Sequence, residues 1–251
     1  MHILTEHTIP GRAHRSAMPR EATPLPAEGE VHLWLLPGEG AASYIAACAA
    51  VLSPSERTRE RAFRTRGDAD RFVAAHGGLR HVLASYTGYD ASALPFAPGG
   101  GKPSLESRCT GADIRFNMSH SGPVVLVAVA AGREVGVDVE RTGLPIDIGA
   151  IAAICFCDAE RTLLSARAGT AREELFYAIW TRKEAYVKAA GGGMALDLPA
   201  IDVSSAPALI EGRWHVSDIS IPPGGYRGAL ASDGPVSRVT MFDRSRTGTP
   251  C

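Results

Sequence analysis

A chain of 251 residues with 45% apolar and 21% charged side chains can build a substantial core, as one large domain or two small ones. Its formal net charge of −1 excludes a global basic field for nucleic acid, and no apolar run approaches a membrane span. The start of the chain carries no apolar run of signal-peptide length, so a cytoplasmic protein with no nucleic-acid or membrane partner is predicted.

Residues 1–29, rich in Pro, Ala and charge, read as a loosely ordered leader. The fold opens on a strand at 31–36, closed by Pro37-Gly38, and a helix follows over 41–52. Ser53-Pro54-Ser55 then caps a second helix, with Pro in its first turn. Arg57, Arg59, Arg61, Arg64, Arg66 and Arg71 outnumber Glu56, Glu60, Asp68 and Asp70 here, a local basic patch suited to a small polyanion. Apolar residues at 72, 73, 79, 82 and 83 predict a helix over 68–85. Residues 95–103, PFAPGGGKP, form a glycine–proline loop without the spacing of a phosphate-binding P-loop. A short strand at 114–119 runs into His120-Ser121-Gly122, and strands at 124–130 and 134–140 read as a hairpin about Ala131-Gly132-Arg133.

Helices are predicted at 146–154, 158–166 and 170–190, the last stopped by Gly191-Gly192-Gly193, with strands near 201–203, 213–219, 226–231 and 238–242. No repeat is visible in the sequence. The fold class is α+β, drawn as two halves of similar size, 30–133 and 134–243, with 244–251 a frayed tail. The five cysteines are odd in number and irregularly spaced, and Cys155-Phe156-Cys157 lacks the second pair of a zinc site, which predicts reduced, mostly buried thiols.

Three segments carry chemistry. In EVGVDVER (134–141) the valines share one strand face, while Asp138 and Glu140 share the other with Cα atoms about 6.5 Å apart. That pair either lies on a water-screened surface or has a cation between its members. In the helix at 170–190, Phe176, Ile179, Trp180 and Val187 form an apolar stripe that Lys183 and Glu184 interrupt. Phe176, Trp180, Glu184 and Lys188 make one i, i+4 ladder, so Glu184 and Lys188 are either an exposed ion pair or functional groups. Asn117-Met118-Ser119-His120-Ser121-Gly122 places hydroxyls, an imidazole and backbone N–H groups at a strand end, an arrangement suited to phosphate oxygens.

Taken together and in order, G-K-P (101–103), N-M-S-H-S-G (117–122), G-V-D-V-E (136–140) and W-T-R-K-E-A-Y-V-K-A (180–189) resemble the larger, surfactin-type 4′-phosphopantetheinyl transferases, in their W-K-E-A form. L-S-P-S-E-R-T-R-E-R-A-F-R (52–64), with Arg71 and Leu79-Arg80, resembles the N-terminal helices of that family. Each motif is weak alone; the ordered set is specific. The resemblance implies a monomeric pseudodimer of two α+β halves with the active site in the cleft between them. It implies transfer of the phosphopantetheine arm of coenzyme A to a serine of an apo acyl, peptidyl or aryl carrier protein, with release of adenosine 3′,5′-bisphosphate. Fatty-acid, polyketide, nonribosomal-peptide and siderophore carriers all present such a serine, so primary and secondary metabolism are both open.

Residue by residue, Asp138 and Glu140 match the family's Mg²⁺ ligands and Glu184 completes the acidic cluster. Glu184 also matches the general base for the carrier serine, and Lys188 the lysine on the pyrophosphate. Ser119 and His120 match phosphate contacts to coenzyme A. Arg59 and Arg71 align with basic positions near its 3′-phosphate, and Lys102 with the lysine at the nucleotide. Glu56 departs from the pattern, standing where the family often carries a second basic residue. A catalytically silent homologue that only binds carrier protein or coenzyme A, and an unrelated Mg²⁺-dependent phosphohydrolase, are the competing readings.

Overall fold

The computed structural model describes residues 23–97, 102–106, 112–193, 196–222 and 224–245. The chain divides into two compact units, one of residues 1–132 with 237–251 and the other of residues 133–236.

Unit 1 contains strand β1 (Glu30–Pro37), helices α1 (Ala42–Ala50), α2 (Pro54–Arg61) and α3 (Arg66–Thr87), then β2 (Ile114–Ser121), β3 (Val124–Ala131) and, from the chain end, β8 (Arg238–Asp243). Its sheet has the order β2-β3-β1-β8. β1 runs antiparallel to β3, with His32 opposite Val129, and parallel to β8, with Leu33 opposite Met241. Trp34, Leu36, Val125, Val127 and Val129 pack against Ala75, Leu79, Val82 and Leu83 of α3, whose helical spacing puts them on one stripe. Ser53 caps α2 as expected, accepting from Glu56 N–H while Glu56 accepts from Ser53 N–H, with Pro54 at the first position.

Unit 2 contains β4 (Val135–Arg141), α4 (Ile148–Cys155), α5 (Asp158–Ser165), α6 (Gly169–Ala190), β5 (Ala208–Ile210), β6 (Trp214–Ile219) and β7 (Tyr226–Asp233). Its sheet has the order β4-β7-β6-β5, antiparallel throughout. Each unit runs strand, two short helices, a 22-residue helix, then further strands. In each, the first strand lies antiparallel beside the last strand of that series, which in turn pairs with the strand before it. The sequence carries no visible trace of this repeat, because the two copies share element order and pairing rather than residues.

Four expectations need correcting. Strands 124–130 and 134–140 are not a hairpin: β3 pairs with β1 and β2, β4 pairs with β7, and the hairpin is β2–β3 about Gly122, at φ 54°. Two apolar runs joined by a short turn look like a hairpin, but ladder partners are chosen by the rest of the sheet. Residues 201–203 form no strand, because side chains from α5 and α6 take their backbone groups. The last strand belongs to unit 1, not to a C-terminal half extending to 243, because β1 accepts it along a parallel edge. Finally, residues 23–29 are docked rather than loose. Thr23 N–H donates to Ser85 O at 2.8 Å, giving a partner to one of the free carbonyls of the last turn of α3, and Pro26 is buried. Residues 1–22 of the predicted leader lie outside the described residues. So do 246–251 of the predicted tail, whereas Arg244 N–H bonds Leu35 O. No described helix is long and apolar enough to cross a membrane.

α6 crosses β4 at Gly136. A Cβ there would overlap the Ala185 carbonyl oxygen and the Ala189 amide, and would lie 2.8 Å from Ala189 Cα. Gly136→Ala therefore sets a methyl against helix backbone, which cannot rotate away as a side chain can. The expected cost is about 1–3 kcal/mol of stability, measured by denaturant unfolding, together with a shift of α6 along β4.

Candidate active site

β4 puts Val135, Val137 and Val139 on one face and Gly136, Asp138 and Glu140 on the other. Since α6 lies against the Gly136 face, Asp138 sits beneath the helix at 3% exposure. A carboxylate so deeply buried needs a cation. Lys188, in the last turn of α6, supplies one, its ammonium donating to Asp138 Oδ1 at 2.6 Å. Glu184, one turn earlier, is half-buried. Burial pushes its carboxyl above the ordinary range, the charges of Asp138 and Glu140 push it further, and Lys188 pulls the other way. The surface readings of both pairs therefore fail, since Asp138 is sealed from water and Lys188 reaches across to β4.

Three oxygen-donor carboxylates acting on one another, offset in part by one ammonium, form a donor set suited to a hard divalent cation. They are not drawn tight. Among the described residues, the ligand atoms that lie within 4.8 Å of one another are those of Cys157, Glu160 and Asp202. That second grouping already has its cation, because Lys183 Nζ stands 2.8 Å from Glu160 Oε2.

Lys183 and Glu184, neighbours in the interrupted stripe, therefore have separate roles. Lys183 and Glu160 are both fully buried. The Lys183 ammonium also donates to Leu198 O at 2.9 Å and Ile201 O at 2.5 Å. Glu160 accepts from Cys157 N–H and Val203 N–H, each at 2.9 Å. Arg182 forks onto both oxygens of Asp218 at 2.7 Å and donates to Val203 O. These bonds occupy the backbone of 201–203 in place of a ladder. The C-x-x-E spacing at 157–160 is a capping signal legible in the sequence; nothing local to it points to Lys183.

Unit 1 holds a pocket of about 640 Å³ whose lining includes Arg59, Glu56, His76, Arg80, Phe96 and Asn117. Arg59 lies over the Phe72 ring at 4.9 Å, and Arg80 over Phe96 at 4.9 Å. Of the residues predicted to contact coenzyme A, Arg59 alone lines this pocket. Arg71 is bound by two carboxylates, Asp68 and Glu39. Lys102 is half-buried, next to the lining residue Pro103, while Gly101 of the same motif lies outside the described residues. Ser119 is buried at 6% and His120 is exposed, on opposite faces of β2, so the two side chains cannot both turn toward one side of the sheet. Cys48 is buried, and its thiol is pushed up to about 11 by that burial; Cys155 and Cys157 are half-buried, and all three are free thiols. Cys109 and Cys251 lie outside the described residues.

Residues 134–218, which hold all of the acidic cluster and Lys188, match the profile of the 4′-phosphopantetheinyl transferase superfamily. The chain is 35% identical over 179 residues to 4′-phosphopantetheinyl transferase HetI of Nostoc sp. (strain PCC 7120 / SAG 25.82 / UTEX 2576), covering 71% of this chain and 75% of the relative. It is 31% identical over 176 residues to a 4′-phosphopantetheinyl transferase of Bacillus subtilis, covering 70% and 73%. It is 29% identical over 182 residues to the L-aminoadipate-semialdehyde dehydrogenase-phosphopantetheinyl transferase of Xenopus laevis, covering 65% and 57%.

Glu56, the departure noted in the sequence, is an anchor. Its carboxylate accepts from Ser53 N–H at 2.7 Å and Arg80 Nε at 2.8 Å, and stands 3.6 Å from His76 Nδ1. Burial alone would raise its pKa; the bonds from His76, Ser53 and Arg80 outweigh it and hold the carboxyl near 2, against an ordinary 4.5. A depressed folded-state pKa means that the contribution is complete above the unfolded value and is lost as pH falls through the folded one. Unfolding midpoints should therefore drop between pH 4.5 and about 2. Glu56→Gln should start less stable and lose this part of the pH dependence; an unchanged slope would remove Glu56 from the acid response.

Proposed function

The chain belongs to the 4′-phosphopantetheinyl transferase superfamily, and from that premise we propose that it moves the 4′-phosphopantetheine arm of coenzyme A onto a serine of an apo acyl, peptidyl or aryl carrier protein. The names of its relatives support the enzyme class. The observation that most favours the chemistry is the α6–β4 arrangement: a half-buried carboxyl pushed upward by burial and two neighbouring carboxylates, one turn from an ammonium on Asp138.

A serine hydroxyl becomes an effective nucleophile when its proton has an acceptor within hydrogen-bond reach. Glu184 is that acceptor, and its raised proton affinity brings it closer to the working pH than an ordinary carboxylate. The serine oxygen attacks the phosphorus that bears the pantetheine arm. The bond from that phosphorus to the bridging oxygen breaks, and adenosine 3′,5′-bisphosphate departs with the electron pair. Lys188 offsets charge growing on the departing phosphate. Asp138, Glu140 and Glu184 would hold Mg²⁺, which when bound supplies charge neutralisation at the pyrophosphate.

In unit 1, Arg59 takes the 3′-phosphate, because it lines the pocket while Arg71 would first have to leave Asp68 and Glu39. Lys102 meets the nucleotide, and Ser119 contributes through a strand end whose N–H groups suit phosphate, with His120 on the other face.

The test is intact-mass analysis of apo carriers incubated with coenzyme A and Mg²⁺, where a phosphopantetheine mass shift is expected and excess EDTA should abolish it. Hydrolysis of simple phosphoesters without carrier modification would favour a phosphohydrolase, and binding without transfer a silent homologue. Glu184→Gln should slow transfer roughly 10²–10⁴-fold with coenzyme A binding, by calorimetry, much less affected. Lys188→Ala should damage binding and rate together, since the pyrophosphate is charged before and during transfer. Near-normal transfer by Glu184→Gln would take it out of the proton step.

A further inference from the structure

A second pocket in unit 2, of about 510 Å³, opens beside Glu184 and is lined on one side by Ile154 and Cys155 and on the other by Leu196, Leu198 and Pro199. The first wall is the end of α4, which continues through Phe156 into the start of α5. Among the described residues the second wall belongs to a segment with no strand partner: 201–203 is tied to the unit by side chains, and its local turns run from Leu196 to Gly193, from Ala200 to Asp197 and from Ile201 to Leu198.

The Glu160–Lys183 pair ties both walls. Glu160 accepts from Cys157 N–H, two residues beyond Cys155, and from Val203 N–H. Lys183 is the residue before Glu184 and donates to Leu198 O and Ile201 O. One ion pair, fully buried on both sides at 2.8 Å, thus joins the end of the α4 wall, the 198–203 wall and the helix turn that carries Glu184.

Unit 1 repeats the device. Glu56 stands three residues after the cap of its short helix, as Glu160 does, and each accepts the cap N–H on the same oxygen, Oε2, that meets the cation. Arg80 is 14 residues after Arg66 at the start of α3, as Lys183 is after Gly169 at the start of α6. Arg80 also donates to a carbonyl beyond its helix, Ala91 O at 3.0 Å, next to the wall residues Ser92 and Ala93 of the 640 Å³ pocket.

We infer that Glu160 and Lys183 are positioning residues that set the walls of the Glu184 pocket and the reach of Glu184 into it, beyond any share they have in stability. The inference rests on the reading of Glu184 as the proton acceptor, but the wall positions can be measured independently of it.

The experiment compares Glu160→Gln, Lys183→Met and the double variant with wild type. Either single change leaves a buried charge without its partner, so both should lower the melting temperature; the double change removes both charges and should recover the part of the loss due to the unpaired charge, while Leu198 O and Ile201 O still lack the Lys183 donor. Two further readouts decide the inference. Transfer to an apo carrier should stay about 10²-fold down in the double variant, the loss that a misplacement near 1 Å can produce, and should fall in kcat more than in KM for coenzyme A. Alkylation of Cys155 by iodoacetamide, followed by tandem mass spectrometry against buried Cys48, should run several-fold faster. Transfer that recovers together with melting temperature overturns the inference and leaves the pair a stability element. Should wild type show no transfer to any carrier, the functional reading fails and the Cys155 rate decides alone: faster in the double variant supports the inference, unchanged overturns it. If the double variant does not fold, Glu160→Gln, which keeps a carbonyl acceptor for Val203 N–H, is judged by the same two criteria.

Discussion

The missing side chain at position 136 is the constraint on which unit 2 depends. Because Gly136 presents no Cβ, the backbone of α6 at Ala185 and Ala189 can lie on β4 at a distance that any other residue would forbid. The strand's period of two then sets Asp138 on the covered face, and the helix period of 3.6 sets Glu184 and Lys188 over it. A buried carboxylate, an ammonium at 2.6 Å and a carboxyl with raised proton affinity all follow from that one close approach. Moving the helix outward by a methyl would add water to the cluster, screen its charges and return Glu184 toward an ordinary acid.

Arg182, Lys183 and Glu184 show how much chemistry one helical turn can sort. Successive residues point about 100° apart, so three adjacent charges leave the helix in three directions. Arg182 goes to Asp218 and Val203 O, Lys183 into the core against Glu160, and Glu184 to the pocket. The two cations are satisfied by carboxylates and carbonyls, which makes their burial tolerable. Glu184 is left where burial and like charge raise its proton affinity. Apolar residues at 182 and 183 could fill the same space, but they would leave the carbonyls of Leu198, Ile201 and Val203 without these donors, and the 198–203 segment has no ladder to replace them.

Periodicity made the helices legible. Residues 68–85 and 170–190 carry their apolar residues at helical spacing, and the core stripe of α3 uses Leu79, Val82 and Leu83 from that pattern. The acids of GVDVE and the ladder through Trp180, Glu184 and Lys188 were visible for the same reason, since a period states which residues share a face. It does not state what faces that side. Hairpin logic therefore joined β3 to β4, where the sheets join β3 to β1 and β4 to β7. Ile201-Asp202-Val203 reads as a short strand, but the Ile201 and Val203 carbonyls and the Val203 N–H are bonded to Lys183, Arg182 and Glu160 instead of a ladder. Glu56 reads in sequence as a departure from a basic position, because its partners, His76 and Arg80, lie 20 and 24 residues further on, on another helix.

The repeated Glu–cation pin also lets the two long helices be compared residue by residue at the position that follows the cation. The residue after Arg80 is His81, and the residue after Lys183 is Glu184, so the two occupy corresponding places. His81 is 5% exposed, and burial holds its imidazole below the usual range. The cause lies one turn back: Gly77 shares the His81 face, and a Cβ there would stand 2.5 Å from Cys48 of α1, so α1 is packed flat over that face. In unit 2 the corresponding face crosses β4, and α4 contributes only its end, Ile154 and Cys155, leaving an open pocket beside Glu184. An ionisable group sealed under a helix is driven neutral, whereas one at the edge of a pocket, with carboxylates and an ammonium beside it, can exchange a proton with what enters. The architecture recurs in both units; the packing over one helix turn decides which copy leaves its ionisable group beside a pocket.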